Sequence, residues 1–579
     1  MSQPNPDPRL AESLLEGNEL IDGEFGITAE IPSFQLIQEW QEKRLSLCYG
    51  YYRMVDPPAV RKLQEELCEA TGMSHALCYT SSEAALDEWL RTHFIIPPQH
   101  PILLLAEAEE PELERITGLF KAHQLPWVQL PSQVPARVPP CSAIVILRQS
   151  PEVDRMLTIL WHSLSVSLPL LVWSTEVPGK LARKLREATW ICDLKGESGG
   201  GVLMPESSTF FEEFLERRKR RGPLLSPRVV RRVPGVPDES KEQTSAFNEV
   251  EKWFVKQEQA GVALLYPSGM SACAAVFDAL LQLRPRHAVV IGGLYTDTHT
   301  LLTTPRFRPE GTRVDFLDVS EQDQIAEVLT EETAFVFLES ITNPLGEVPD
   351  LPFIAANASL RQVPLVVDNT LATPFNLAPL QFGADVVIES TAKYLSGQND
   401  HRGGAVVLND PTLAVALYQD QQARNLRMSD EEATVLQERL RDFPDRMQRF
   451  NRNGRILRDF LQRHPKVAEV FSPHEQRGTD PESGFLAGVA GVVSFRLVND
   501  SAEGVQRLYD SDLRPIGKGP TLGSNRTILC PYPLLAHYHA PEELVEQLCA
   551  TRYLIRVAAG CEEDFTVVLR ALGHGLDAV

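Results

Sequence analysis

Short apolar runs separated by amphipathic stretches constrain this chain more than any other feature. The runs "HAVVIGG", "TAFVFLES", "VPLVVDNT" and "ADVVIEST" have the length and β-branched content of buried strands, and the stretches between them have helical length. That alternation predicts βαβ units and a largely parallel sheet. "GMSACAAVFDALLQL" reads as one of the covering helices, opened by Gly269. A long helix in "DFPDRMQRFNRNGRILRDFLQRH" and a Gly-rich, strand-like "SGFLAGVAGVVSFRLV" then mark a smaller carboxyl-terminal domain.

The first third of the chain repeats the middle third in outline. "HALCYTSSEAAL" lies on "VALLYPSGMSAC", "SAIVILRQSP" on "TAFVFLESIT", "LPLLVWST" on "VPLVVDNT" and "GGGVLMPES" on "GGAVVLNDP", in the same order and at similar spacings. We therefore expect residues 1–205 to be a degenerate copy of a domain at 246–435, with a linker at 206–245 and a small domain at 436–579. In the copy, Gly269 and Met270 become Ser82 and Glu83, Asp368 becomes Trp173, and the loop after Lys195 is shorter than the one after Lys393. The linker is read from the basic, proline-punctuated "FFEEFLERRKRRGPLLSPRVVRRVPGVPDESKEQT" as a solvated connector rather than a nucleic-acid patch.

Charge and cysteine usage narrow the partners. Lys+Arg 56 against Asp+Glu 78 leaves a formal charge of -22 over 579 residues, which argues against nucleic acid or an anionic membrane. The polar, acidic start "MSQPNPDPRLAESLLEGNELIDG" lacks the apolar core of a signal peptide, and no apolar run reaches the roughly 18 residues that span a bilayer. The nine cysteines form no CxxC pair and mostly sit in apolar segments, as in "HALCYT". They read as reduced core thiols of a cytosolic protein with no metal site.

The chemistry is read from the middle third. "YPSGMSAC" is a strand, a turn and a helix start, where Gly269 lets backbone approach a ligand and free first-turn amides attract an anion. Asp368 stands at the carboxyl end of the strand in "VVDNT", the usual place for function in open α/β sheets, although an aspartate there also serves as a helix cap. Lys393, in "VVIESTAKYLSGQNDHRGG", follows another strand, where a lysine is more often a surface residue. Together, an anion-binding turn, an acid and an amine at strand ends are the parts that a pyridoxal phosphate site requires. Backbone donors hold the phosphate, a carboxylate keeps the pyridine nitrogen protonated, and the aldehyde needs an amine.

The ordered segments "YPSGM", "GLYTDT", "LESITNP", "VVDNT", "STAKYLSG" and "LIRVAAGCEE" resemble the Cys/Met-metabolism enzymes that use pyridoxal phosphate, over roughly residues 245–579. Within that family, "YTDT" and "GPTLGSNRTILCPYPLLAHY" are similar to the fungal-type cystathionine γ-synthases, as is "IPSFQLIQEW" to "GYYRMV" with their amino-terminal extension. The resemblance implies an α/β, aspartate-aminotransferase-like (type I) large domain with a small carboxyl-terminal α/β domain. It implies that Lys393 holds the cofactor and shuttles protons, Asp368 pairs with the pyridinium and Tyr295 stacks on the ring. Gly269 and Met270 would give amides to the phosphate, Asn343 would touch the ring oxygen, and Arg556 would clamp the substrate carboxylate. It further implies that a Tyr-x-Arg pair, here Tyr51 and Arg53, binds a cofactor phosphate, in cis or from a neighbouring subunit of a homo-oligomer, dimer or tetramer.

Departures from the family pattern bear on the substrate. Ala392 replaces the usual Thr before the lysine, leaving Ser390, with Ser268 or Thr391, to supply phosphate hydroxyls. Thr521 stands for a Ser, Arg526 for a Glu in "GSNRTI", and Gln398 for a His. The implied reaction is γ-replacement on an O-activated homoserine by cysteine to give cystathionine, with Thr521 and Arg556 at the substrate. Sulfhydrylase and γ-lyase reactions share its first half, and a catalytically inactive interaction protein is the alternative of another class.

Overall fold

Contacts divide the chain into two units, one of Pro58–Asp238 with Val415–Ser429, the other of Met1–Pro57, Glu239–Ala414 and Asp430–Val579. The computed structural model describes residues 31, 33–42, 58–94, 100–106, 111–130, 143–148, 170–174, 189–193, 200–204, 211–230, 240–283, 286–473 and 485–579.

The first unit is built on a seven-stranded sheet of β1 (His75–Tyr79), β2 (Ile102–Leu105), β3 (Trp127–Leu130), β4 (Ala143–Arg148), β5 (Leu170–Ser174), β6 (Thr189–Asp193) and β7 (Gly200–Met204), ordered β1-β7-β6-β5-β4-β2-β3. Its four junctions from β6 to β3 are parallel, while β7 runs antiparallel to both β1 and β6.

The second unit carries a sheet of β8 (Val262–Tyr266), β9 (His287–Ile291), β10 (Arg313–Leu317), β11 (Thr333–Glu339), β12 (Leu365–Asp368), β13 (Val386–Ser390) and β14 (Gly404–Leu408), ordered β10-β9-β11-β12-β13-β14-β8. Read from β8, this is the strand order of the first sheet, with β14 again antiparallel to its neighbours and the rest parallel. The apolar runs of the sequence are β9, β11, β12 and β13, and β11 is buried along its whole length, as a strand covered on both faces must be. The helix opened by Gly269 runs Gly269–Leu283.

The long helix Phe443–Arg463 leads into a five-stranded sheet of β15 (Val467–Phe471), β16 (Val492–Leu497), β17 (Gly517–Lys518), β18 (Ile528–Pro531) and β19 (Ile555–Ala558), ordered β15-β16-β19-β18-β17.

Two boundaries differ from the sequence reading. Ile31 and the helix Phe34–Gln41 do not join the first unit: Ile31, Phe34 and Ile37 enter the apolar core of the five-stranded sheet, and Ile31 exchanges backbone and side-chain hydrogen bonds with Lys518 (2.9 Å) and Tyr509 (2.6 Å). Residues 211–230, the stretch of the expected 206–245 linker in which side chains are described, are not a solvated connector either. They contain the helix Phe211–Arg221, whose Arg217, Arg218 and Arg221 are buried. Arg221 pairs with the buried Glu88 at 3.2 Å and Arg218 donates to the Cys78 carbonyl at 2.8 Å, so what reads as a basic surface run is core neutralised from within.

Candidate active site

The site is assembled at the carboxyl ends of β8 to β13 and on the five-stranded sheet facing them in the same unit. After β8 the chain turns through Pro267 and Ser268 into the helix Gly269–Leu283, whose N-terminus is capped by the Ser268 hydroxyl accepting the Ser271 N–H at 3.1 Å. The first-turn N–H groups of a helix have no intrahelical acceptor and carry the positive end of its dipole. Ser390, the last residue of β13, lies against this turn: a Cβ on Gly269 would come within 2.9 Å of Ser390 Cβ and 3.3 Å of its hydroxyl. Only glycine leaves that gap open. The Ser390 N–H donates to the Thr370 hydroxyl at 2.8 Å, while the Thr391 hydroxyl is buried and paired with His401 at 2.9 Å, which removes Thr391 from the candidate anion donors.

Asp368 ends β12 with its carboxylate accepting the Thr370 N–H at 3.0 Å. Burial pushes its carboxyl above the ordinary value, against the hydrogen bonds from Thr370. On the adjacent strand Glu339 is in register with Asp368, and its side chain holds the backbone N–H of Tyr295. Burial and then the Asp368 charge push Glu339 well above the usual carboxylate range. Glu339 thus ties the Tyr295 loop to the strand end; the sequence offered only the acidic end of "TAFVFLES" as its signal.

Lys393 lies three residues beyond β13, and its Nζ donates to the Thr521 hydroxyl at 3.2 Å; that hydroxyl donates to Asn399 Oδ1 at 3.3 Å. Gly523 clamps the lysine backbone from the other side. Its φ is +72°, and a Cβ there would sit 2.6 Å from Tyr394 N and 2.8 Å from Lys393 C.

Arg556, on β19, is fully buried. Its Nη1 donates to Asn343 Oδ1 at 3.1 Å and its Nη2 to the carbonyls of Pro520 and of Thr521 (2.9 Å), while among the described residues Nε has no hydrogen-bond partner. Its guanidinium lies 4.8 Å from the Tyr532 ring centre, and the Tyr532 hydroxyl accepts Asn343 Nδ2 at 3.0 Å. Lys393, Thr521, Arg556 and Asn343 therefore form one connected frame. A separate cavity of about 300 Å³, lined by Leu294, Asp318, Glu347 and Leu548 among others, touches that frame only at Asn343. Tyr51 and Arg53 lie outside the described residues. Among the described residues no cluster of His, Cys, Asp or Glu is arranged to hold a metal ion.

The residues present fit pyridoxal phosphate. The gap at Gly269, with Ser268, Ser390 and the first-turn helix amides around it, suits a phosphate; Asp368 is a half-buried carboxylate that a cationic ring nitrogen would stabilise in its charged form; Lys393 is an amine whose Nζ donates to the Thr521 hydroxyl at 3.2 Å.

A family model described as Cys/Met metabolism PLP-dependent enzyme matches residues 238–576, more than half of the chain. Cystathionine beta-lyase of Coxiella burnetii is 30% identical over 318 residues, covering 54% of this chain and 79% of that protein. L-methionine gamma-lyase of Fusobacterium nucleatum is 28% identical over 397 residues, covering 66% of this chain and 94% of that one. Among solved structures, cystathionine gamma synthase from Xanthomonas oryzae, in complex with aminoacrylate and cysteine, matches at 25% identity with a TM-score of 0.54 over 58% of this chain and 86% of that one. These neighbours share the type I fold that the sheet of β8 to β14 displays, and with the family match they establish that the chain belongs to the Cys/Met-metabolism PLP-dependent enzymes.

Proposed function

We propose that the protein catalyses γ-replacement on an O-activated homoserine with cysteine, forming cystathionine, as a cytoplasmic, homo-oligomeric enzyme of trans-sulfuration and methionine biosynthesis related to the fungal-type cystathionine γ-synthases. The observation that carries this reading is the frame in which the amine of Lys393 and the carbonyl-bound guanidinium of Arg556 meet on one residue, Thr521. When bound, pyridoxal phosphate supplies the electron sink that lets an amino acid lose protons from Cα and then Cβ.

The chain's own residues do the rest. Arg556 binds the α-carboxylate, exchanging part of its present hydrogen bonding for a carboxylate fork. Lys393 takes the proton from Cα and moves one at Cβ, so that the γ-oxygen substituent leaves and a thiolate adds at Cγ. Thr521 fixes where Nζ points between those transfers. Asp368 would keep positive charge on the ring nitrogen, Tyr295 would pack on the ring, Asn343 would meet the ring oxygen, and Gly269, Met270 and Ser390, with Tyr51 and Arg53, would hold the phosphate.

The lyase names among the relatives keep a second reading in view, in which the same proton transfers end in elimination. Purified protein incubated with acetyl-, succinyl- and phosphohomoserine, each with cysteine, sulfide or no thiol, separates them. Cystathionine formed only with cysteine supports the proposal, whereas 2-oxobutyrate produced at the same rate without thiol refutes it. Arg53→Ala is expected to weaken cofactor binding roughly 10- to 100-fold, the effect of one charge-assisted hydrogen bond, and unchanged affinity would remove Arg53 from the site.

A further inference from the structure

The two seven-stranded sheets can be aligned residue by residue from their own registers. In the first, Tyr79 at the end of β1 pairs with Gly200, and Gly200 pairs with Asp193 at the end of β6. In the second, Tyr266 at the end of β8 pairs with Gly404, and Gly404 pairs with Ser390 at the end of β13. Both glycines press on the following turn: a Cβ on Gly200 would lie 2.3 Å from the Ser81 carbonyl oxygen, and one on Gly404 would lie 2.4 Å from that of Ser268. Both serines then cap a helix, Ser81 accepting the Ala84 N–H at 3.0 Å as Ser268 accepts that of Ser271 at 3.1 Å. One strand further, Trp173 pairs with Ile191 as Asp368 pairs with Ile388. Ser82, Glu83, Asp193 and Trp173 therefore stand at the positions of Gly269, Met270, Ser390 and Asp368.

What fills those positions is the reverse of an anion cradle. The gap that Gly269 leaves open is occupied by the Ser82 side chain, whose hydroxyl donates to the Asp193 carboxylate. Glu83 sits in the first helical turn, buried, in an ion pair with Arg115. The same guanidinium lies 3.7 Å from Asp193 and 5.5 Å from the ring centre of Trp173. Two carboxylates and one guanidinium thus stand at the positive end of the helix where a phosphate would lie, and the carboxylates would repel a dianion. Trp173, fully buried, takes the volume and removes the acid where a ring nitrogen would need one. Lys195 also follows Asp193 by two residues, whereas Lys393 follows Ser390 by three.

We infer that the first unit holds a second, self-filled copy of the cofactor cradle, in which the side chains of Glu83 and Asp193, balanced by Arg115, replace the cofactor phosphate and exclude phosphate esters. The inference rests on the cofactor reading of Lys393 only for its comparison, and two experiments separate their failures.

Borohydride reduction of the protein saturated with pyridoxal phosphate, followed by peptide mapping, is expected to give one label per chain, on the Lys393 peptide. Label on the Lys195 peptide overturns the inference, whereas loss of label from Lys393 alone overturns the assignment of that lysine. The second experiment opens the copy. Glu83→Met with Asp193→Ser removes both carboxylates beside the Arg115 guanidinium at a helix N-terminus, so inorganic phosphate should protect the backbone amides of residues 82–85 from hydrogen exchange in the variant and not in the wild type. The isosteric pair Glu83→Gln with Asp193→Asn serves if the first variant does not fold, and should bind phosphate at least tenfold more tightly than the wild type. Phosphate protection already present in the wild type, or absent from both folded variants, overturns the inference.

Discussion

The hydroxyl of Thr521 has one hydrogen to give, and Asn399 takes it. With that hydrogen directed to Asn399 Oδ1, the lone pairs of the same oxygen are left for Lys393 Nζ, so a residue that does not touch the amine sets its direction. Asn399 is fully buried, is held at φ +55° and has an Nδ2 with no partner among the described residues, a costly arrangement. Asn399→Ala is expected to lower kcat about 3- to 10-fold with little change in KM, the scale of one neutral hydrogen bond. Asn399→Asp should act on ionisation instead. A carboxylate beside Thr521 favours the ammonium form of Lys393, so the pH at which kcat/KM rises should move upward, and an unmoved pH profile would deny Asn399 this role. Asp368→Asn should leave the cofactor bound while slowing loss of the Cα proton by several orders of magnitude, each tenfold being about 1.4 kcal/mol of barrier, as read by solvent exchange of the substrate Cα hydrogen. Of these residues, Lys393 and Asp368 stood out in the sequence because each ends or follows an apolar strand, and Arg556 because its segment resembles the family's. Asn399 and Glu339 were not, because their value lies in contacts with residues 122 and 44 positions away that no local pattern encodes.

At the scale of elements, the strands and the helix Gly269–Leu283 were legible because a buried strand has to be apolar throughout and a capped helix start leaves a mark in Ser and Gly. The turn in "PTLGSNRT" was not, since its meaning is that Gly523 lies on the Lys393 backbone. Gly523→Ala combines a strained φ with a contact inside van der Waals distance, and is expected to abolish cofactor colour while the circular dichroism of the sheets persists. The helix Ser240–Glu258 ends in a different kind of strain. Glu258 is fully buried with a long hydrogen bond from the Leu380 N–H (3.4 Å), and burial pushes its carboxyl up to about 8. Between the ordinary carboxylate value, about 4, and that raised one, the folded chain keeps a proton that the unfolded chain has lost. Stability contributed by this group is thus complete at low pH and lost as pH rises through about 8. Glu258→Gln should have nearly the wild-type Tm at pH 5 and exceed it by a few degrees, roughly 2–4 °C per kcal/mol, at pH 9. Equal melting curves at both pH values would show that Glu258 is not protonated in the folded state.

For the whole molecule, the ordered strand-like runs fit two seven-stranded sheets of one strand order, but the sequence missed how the chain is divided between the two units. Apolar periodicity reports which face of an element is covered, not by which part of the chain. Ile31, Phe34 and Ile37 are apolar for the sake of a sheet more than 400 residues downstream, and Val415–Ser429 leaves the catalytic unit to be counted with the first one. The second excursion is anchored by Arg424, which is buried. Its carbonyl accepts the Ser81 hydroxyl at 2.9 Å, and its Nη1 lies 3.6 Å from the buried carboxylate of Asp87, which also takes Arg91 at 2.9 Å and His123 at 2.6 Å. Burial opposes ionisation of Asp87, but Arg91, then Arg424 and His123, overcome it and hold the carboxyl well below its ordinary value. Arg424→Met removes one of those cations and leaves Asp87 buried with fewer partners, which should cost about 3 kcal/mol in the unfolding of the first unit. The sign with pH follows from the depressed value: the contribution is present above the unfolded carboxylate pKa, about 4, and lost as pH falls below it, so the gap between variant and wild type should stay constant from pH 8 to 5 and close toward pH 3. Hydrogen exchange resolved by peptide gives the measurement. Faster exchange in Ser82–His93 and Phe211–Arg221 at pH 7, with unchanged cofactor absorbance and unchanged exchange in Gly269–Leu283, is expected. Equal loss of protection in Gly269–Leu283 would mean that the two units unfold as one, and that Arg424 stabilises the sheet of β8 to β14 as directly as it does the sheet of β1 to β7.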